Sequence, residues 1–148
     1  MSVLKTNFSP PFNITRLSHV NLTSKDLDAT KYFYETGLGL EVTYHDNSYL
    51  CLRALEETSH HSLIFEKNNS KNPSKCNRVG YRVLEEDDLL KAYDYFSSFE
   101  FKVNFVERPF QGKTLQLSDN IGTPIEICAT MDQKNSRMQK FHNHSGGK

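Results

Sequence analysis

The stretch Ile14 to Leu22, I-T-R-L-S-H-V-N-L, returns at Cys76 to Leu84 as C-N-R-V-G-Y-R-V-L. Each copy reads as a short buried strand. Each is followed by an acidic helix start, Lys25-Asp26-Leu27-Asp28 and then Glu85-Glu86-Asp87-Asp88, and each helix by three further strand-like runs between turn residues. The chain is one small unit written twice, offset by 78 − 19 = 59 positions, which sets His19 of the first copy against Arg78 of the second. The expected fold is α+β: two tandem βαβββ units forming a curved mixed sheet, with helices on the outer face and a polar concave side.

The 148 residues fit one domain that buries roughly two-thirds of its unfolded surface. Lys plus Arg and Asp plus Glu number 18 each and are interspersed rather than blocked. That argues against an electrostatic grip on nucleic acid or an anionic membrane and favours a small-molecule partner. Met1 to Pro11 has no apolar leader pattern, and no run is long enough to span a bilayer, so a cytoplasmic location is expected. Cys51, Cys76 and Cys128 lie in separate strand-like runs without C-x-x-C spacing, which predicts buried thiols rather than disulfides.

Residues 1–11, ending in Ser9-Pro10-Pro11, form an extended lead-in because proline fixes φ and lacks a donor. The domain is expected over 12–131, as units of about 12–67 and 76–131 joined by the polar linker Asn68 to Lys75. In the first unit, alternation sends Leu17, His19 and Asn21 to one face. Thr23-Ser24 offers cap oxygens, Leu27, Thr30, Phe33, Tyr34 and Leu38 mark the helix stripe, and Gly37 and Gly39 stop it. Glu41 to Tyr44 and Tyr49 to Arg53 make a hairpin, and His60 to Glu66 a fourth strand with His61, Leu63 and Phe65 on one face. The second unit predicts a helix from about Glu86 to Phe96 and strands near Val103 to Glu107, Thr114 to Ser118 and Ile125 to Ala129. Residues 132–148 read as a polar tail or linker helix carrying Met138 and Phe141. His142 and His144 in that setting are poor ligand candidates.

Glu126 is the most informative single residue. It shares a strand face with Cys128 and Thr130 while Ile125, Ile127 and Ala129 take the other, and a carboxylate among isoleucines is costly to bury without a positive partner. Arg78 is the partner expected.

Taken together, L-D-x-x-x-x-F-Y-x-x-x-L-G-L (Leu27 to Leu40), H-H-S-L (His60 to Leu63), Y-R-V (Tyr81 to Val83) and G-T-P-I-E-I (Gly122 to Ile127) in a tandem βαβββ frame resemble the vicinal oxygen chelate superfamily. Its members include glyoxalase I, bleomycin-resistance proteins and extradiol ring-cleavage dioxygenases. The chain looks most like the N-terminal domain of a two-domain catechol 2,3-dioxygenase, a domain that is usually metal-free. The resemblance implies a catechol-type aromatic ligand, Fe(II) or Mn(II) in the family but none in this chain, and a homo-oligomer or a companion C-terminal catalytic domain. In the family's metal-bearing domains two histidines and a glutamate hold the ion. By motif those positions are His19, Arg78 and Glu126, so His19 and Glu126 stand as an incomplete metal set, and arginine has no lone pair to complete it.

The resemblance leaves three readings of the quartet His19, His61, Arg78 and Glu126. In one, Arg78 pairs with Glu126 and the site is a relic. In the second, His61, whose motif bears the acid–base histidine in catalytic domains, joins His19 and Glu126 as a ligand of a single-domain metalloenzyme, leaving Arg78 to hold a catecholate oxygen. In the third, the chain is a metal-independent binding module of the glyoxalase and bleomycin resistance type, with Tyr44, Tyr49 and Phe65 lining a concave sheet.

Overall fold

The computed structural model describes residues 11–71 and 73–137. The expected Met138 and Phe141 helix, His142, His144 and nearly all of the lead-in lie outside them.

Among the described residues, eight strands form one open mixed sheet. The first unit runs β1 (Ile14–Ser24), α1 (Leu27–Tyr32) with a π-helical turn (Phe33–Gly37), β2 (Glu41–His45), β3 (Tyr49–Arg53) and β4 (Leu63–Lys67). The second runs β5 (Cys76–Val83), α2 (Glu86–Ser98), β6 (Asn104–Val106), β7 (Thr114–Ser118) and β8 (Pro124–Cys128). Spatial order is β2-β3-β4-β1-β5-β8-β7-β6, so each half repeats the other about the antiparallel β1–β5 seam. The 59-residue offset is written into that seam: Val20 pairs with Val79, and the flanking pairs His19–Gly80 and Asn21–Arg78 exchange under the same shift. Parallel pairing of β1 with β4 and of β5 with β8 completes the equivalence.

The helices lie on one face, as the hydrophobic pattern requires. Leu27 packs with Leu50, Leu52 and Phe65 under α1, and Leu89 and Ala92 of α2 pack on Val83, Leu115, Leu117 and Ile127. Burial of this apolar set is the main favourable contribution to the fold, at roughly 1.5–3 kcal/mol for each fully buried large side chain. The opposite face therefore receives the alternate residues of the same strands: Asn21, Cys51, Ile64, Glu66, Arg78, Gln116 and Glu126.

Several local expectations are corrected. Asp26, not Thr23 or Ser24, caps α1 by accepting the Ala29 N–H at 3.0 Å. The π-helical turn rotates the stripe, so Phe33 and Leu38 are exposed while Tyr34 still packs on Phe65. Register shifts flank His19, which leaves Leu17 59% exposed while Ser18 and His19 are both buried. Leu90 on α2 is exposed. Strand β4 begins at Leu63, so His60 and His61 precede it and the alternation does not carry back to them. Phe65 consequently belongs to the core under α1. Cys51 and Cys128 are buried but Cys76, at the start of β5, is exposed.

Residues 132–137 are docked rather than frayed. The Lys134 N–H donates to Thr58 O at 2.7 Å, the His60 N–H to Asp132 O at 2.7 Å and the Arg137 N–H to Leu55 O at 3.1 Å. Buried Arg53 ties the same segment down, donating to Glu41 at 2.8 Å and to the carbonyls of Glu57 and Asn135 at 2.8 and 2.7 Å. The end of the second unit thus returns to the first unit and braces the loop that carries His60 and His61.

Candidate functional site

The polar face closes on Glu126, which is 1% exposed. Strand β8 aims its carboxylate away from the core because Ile127 must face α2. Three neighbours reach it: Arg108, whose Nε donates to Oε1; Arg78, whose Nε lies 2.7 Å from the same oxygen; and His19, whose Nε2 lies 3.3 Å from Oε2. The Arg78 Nε contact is an ion pair set off the N–H axis, since that N–H makes no aligned hydrogen bond. Arg78 also donates through Nη2 to Glu66 Oε1, and Asn21 and Asn77 hold the Glu66 carboxylate at 3.0 and 2.8 Å. Arg108 Nη2 reaches Gln116 Oε1 at 2.9 Å.

The result is a closed network of two carboxylates and two guanidiniums. Burial alone would raise the Glu126 carboxyl, but the His19 contact and the Arg78 and Arg108 charges outweigh it and hold the group below its usual range. The expected Arg78–Glu126 pair is present. Sequence reasoning misses Arg108 and Glu66, which share it.

Gly80 explains how His19 fits. Directly across the seam, its missing Cβ would lie 2.2–2.4 Å from three atoms of the His19 ring, so only glycine lets the imidazole lie over β5. Gly80→Ala is expected to expel the ring from Glu126 and to destabilise the fold by about 1–3 kcal/mol, the range for overpacking. Chemical denaturation of the variant measures this, and an unchanged midpoint would remove the role given to Gly80.

His61 is placed beside this network, its ring centroid 5.4 Å from that of His19. Burial, reinforced by the neighbouring His19 and His60, pushes its imidazole down to about 3, so it is neutral at physiological pH. Its Nδ1 shares a 3.0 Å hydrogen bond with His60 Nδ1, one ring donating and the other accepting. His60 is also lowered by burial, and its ring stacks on Phe110 at 3.9 Å. Among the described residues, the one group of His, Cys, Asp or Glu side chains whose donor atoms all lie within 4.8 Å of one another is Cys51, His60 and His61. His19, His61 and Glu126 do not form such a group.

A cavity of about 290 Å³ opens over these residues, lined by Tyr44, Tyr49, Cys51, His61, Arg78, Arg108 and Phe110 among others. Tyr44 and Tyr49 are where the sequence placed them, and Phe110 takes the part expected of Phe65. Tyr44 and Phe110 touch with ring centroids 5.0 Å apart. The volume suits a single-ring ligand.

An iron(II) or manganese(II) ion between His19 and Glu126 does not fit the residues present. Both Glu126 oxygens are engaged, two fixed cations flank one of them, and Arg78 has no lone pair to offer an ion. At ~4 Å and an effective dielectric near 20, like unit charges repel by about 4 kcal/mol, and a divalent ion doubles that against each guanidinium.

Comparison with solved structures returns the same fold. A variant of homoprotocatechuate 2,3-dioxygenase from Brevibacterium fuscum superposes with a TM-score of 0.80 at 26% identity, covering 89% of this chain and 37% of that one. The anaerobic complex of that enzyme with 3,4-dihydroxyphenylacetate gives 0.80 and 26% over 89% of this chain and 42% of that one. A room-temperature structure of an extradiol ring-cleaving dioxygenase from B. fuscum gives 0.79 and 25% over 91% and 38%. The chain therefore spans little more than a third of the length of these proteins. No curated protein matches it in sequence. Among the described residues no helix is long and apolar enough to cross a membrane. The family model of the Glyoxalase/Bleomycin resistance protein/Dioxygenase superfamily matches residues 16–127, and with the paired βαβββ units and the Glu126 strand in place, the chain belongs to that superfamily.

Proposed function

We propose that the chain acts as the N-terminal domain of an extradiol ring-cleavage dioxygenase of aromatic catabolism, metal-free at the Glu126 position, with the iron chemistry carried by a companion C-terminal domain. The observation that carries this reading is the Glu126 carboxylate, already occupied by Arg78, Arg108 and His19; the sequence resemblance makes this the position at which catalytic members hold their ion. The similarity to extradiol enzymes over about a third of their length agrees with a part-protein role. Edge strands β2 and β6 leave pairing groups that a second copy or the companion domain would cover.

The test is an assay of the chain supplied with iron(II), oxygen and either catechol or 3,4-dihydroxyphenylacetate. No yellow ring-cleavage product is expected, and no ligand-dependent rise in melting temperature. Turnover lost on Glu126→Gln would overturn the proposal in favour of a metalloenzyme using His19, His61 and Glu126. The aromatic cavity favours a second reading, a small-molecule binding module. Thermal stabilisation by a catechol without metal or turnover would select it.

A further inference from the structure

The Cys51, His60 and His61 cluster lies outside the ion-pair network, and neither Cys51 nor His60 is among the positions at which the family resemblance places a metal. Its chemistry is distinct: one thiol and two imidazoles, with no carboxylate among them. Such N/S sets suit thiophilic cations that accept tetrahedral geometry, and disfavour magnesium, calcium and manganese, which want oxygen. We propose that Cys51, His60 and His61 form a binding site for a thiophilic divalent cation, zinc in the first instance, with a fourth coordination position open to the cavity. The site shares His61 with the alternative metalloenzyme reading but does not use Glu126, and its thiolate signature tells the two apart.

The gathering of the donors, their supports and their access to the cavity carry the proposal. First, the donors are already gathered. All lie within 4.8 Å of one another, and the two Nδ1 atoms stand 3.0 Å apart, against about 3.3 Å for two imidazole nitrogens bound tetrahedrally at ~2.05 Å.

Second, the donors are held by rigid supports. Cys51 is pinned in β3 between β2 and β4, paired with Tyr44 and Ile64. His60 is fixed by its backbone bond to Asp132 and by the Phe110 ring, and the Ser62 N–H binds Leu52 O at 3.0 Å beside them. All three residues are buried.

Third, Cys51 and His61 both line the cavity, which supplies the entry path. The guanidiniums of Arg78 and Arg108 line it as well, but Glu66 and Glu126 neutralise them, so the approach carries no net positive charge.

Protons balance on binding. The Cys51 thiol loses its proton to solvent as Sγ bonds the ion. The proton now shared between the two Nδ1 atoms moves to an Nε2, which turns both Nδ1 lone pairs toward the metal. A water or a small anionic ligand from the cavity completes the four positions.

The test uses the full chain, stripped with a chelator and titrated with cobalt(II) as a spectroscopic substitute for zinc. One equivalent is expected, with the intense visible bands of tetrahedral cobalt and a thiolate-to-cobalt charge-transfer band in the near ultraviolet. Zinc should displace it stoichiometrically. Cys51→Ser should abolish the charge-transfer band, whereas Cys76→Ser should leave it intact. His60→Gln and His61→Gln should lower affinity by at least the ~10–100-fold that loss of an outer-shell partner costs. Circular dichroism checks that each variant is folded, and if Cys51→Ser is not, the histidine variants decide. Absence of saturable binding, binding without the charge-transfer band, or a band that survives Cys51→Ser would overturn the proposal.

Discussion

Replacing Arg78 and Arg108 together by leucine is expected to cost about 3–5 kcal/mol, while either replacement alone costs about 1–2 kcal/mol. The difference comes from sharing. Both guanidiniums contact the same oxygen of a carboxylate that is 1% exposed, so each covers for the loss of the other, and only the double variant leaves Glu126 with His19 alone. A partner for Glu126 judged from sequence alone would make the single Arg78→Leu change severe; the presence of Arg108 reduces it. Urea denaturation of the two single variants and the double variant gives the coupling energy directly. Adding Glu126→Leu to the double variant should recover most of the loss, because removing a buried charge together with its partners also removes its desolvation cost. Additive single and double effects would show that the two arginines act separately.

Lowering the pH of chelator-treated protein from about 6.5 toward 3 should remove about 4–5 kcal/mol of stability through His61 alone. The imidazole is depressed from 6.5 to about 3 by burial, so between those values the unfolded chain binds a proton that the folded chain does not. Stability is fully present above 6.5 and is lost progressively as pH falls through that window, at about 1.4 kcal/mol per unit. Glu126 is also depressed, so its contribution is present above the ordinary carboxylate range and disappears only below about 4.5. Denaturant midpoints measured against pH separate the two, since His61→Gln should flatten the slope between about pH 6 and 5 and leave the acid limb. A wild-type slope in that interval no steeper than that of His61→Gln would contradict the burial effect.

Much of this architecture is legible in the sequence, for physical reasons that particular residues make plain. The repeat at an offset of 59 yields two strands whose alternation has to place Val20 and Val79 alike, and the seam pairs them. Glu126 stands out because Ile125 and Ile127 leave it one direction to point, and a buried carboxylate demands a cation. Arg108 escapes notice because it lies in the segment between β6 and β7, where no period ties a side chain to a face. Glu66 reads only as the end of a strand, although alternation from Ile64 already puts it on the polar face. His61 joins the face of Leu63 and Phe65 only when a period of two is extended beyond the first residue of β4, and the backbone there is irregular. The helix stripe fails at Leu38 for a similar reason, since the π-helical turn adds a residue and rotates the positions after it. The candidate cation site combines a strand residue with two residues of an irregular segment, and no sequence spacing announces that meeting.

The central claim is that the Glu126 carboxylate, proposed to stand at the family's metal position, is already occupied by the chain's own cations. An anaerobic manganese(II) titration monitored by electron paramagnetic resonance tests it most directly, because manganese prefers oxygen donors and so reports on Glu126 rather than on Cys51. The account predicts that the signal of free aqueous manganese grows in proportion to the metal added, identically for wild type and Glu126→Gln. Stoichiometric loss of that signal in the wild type, restored by Glu126→Gln, would contradict it.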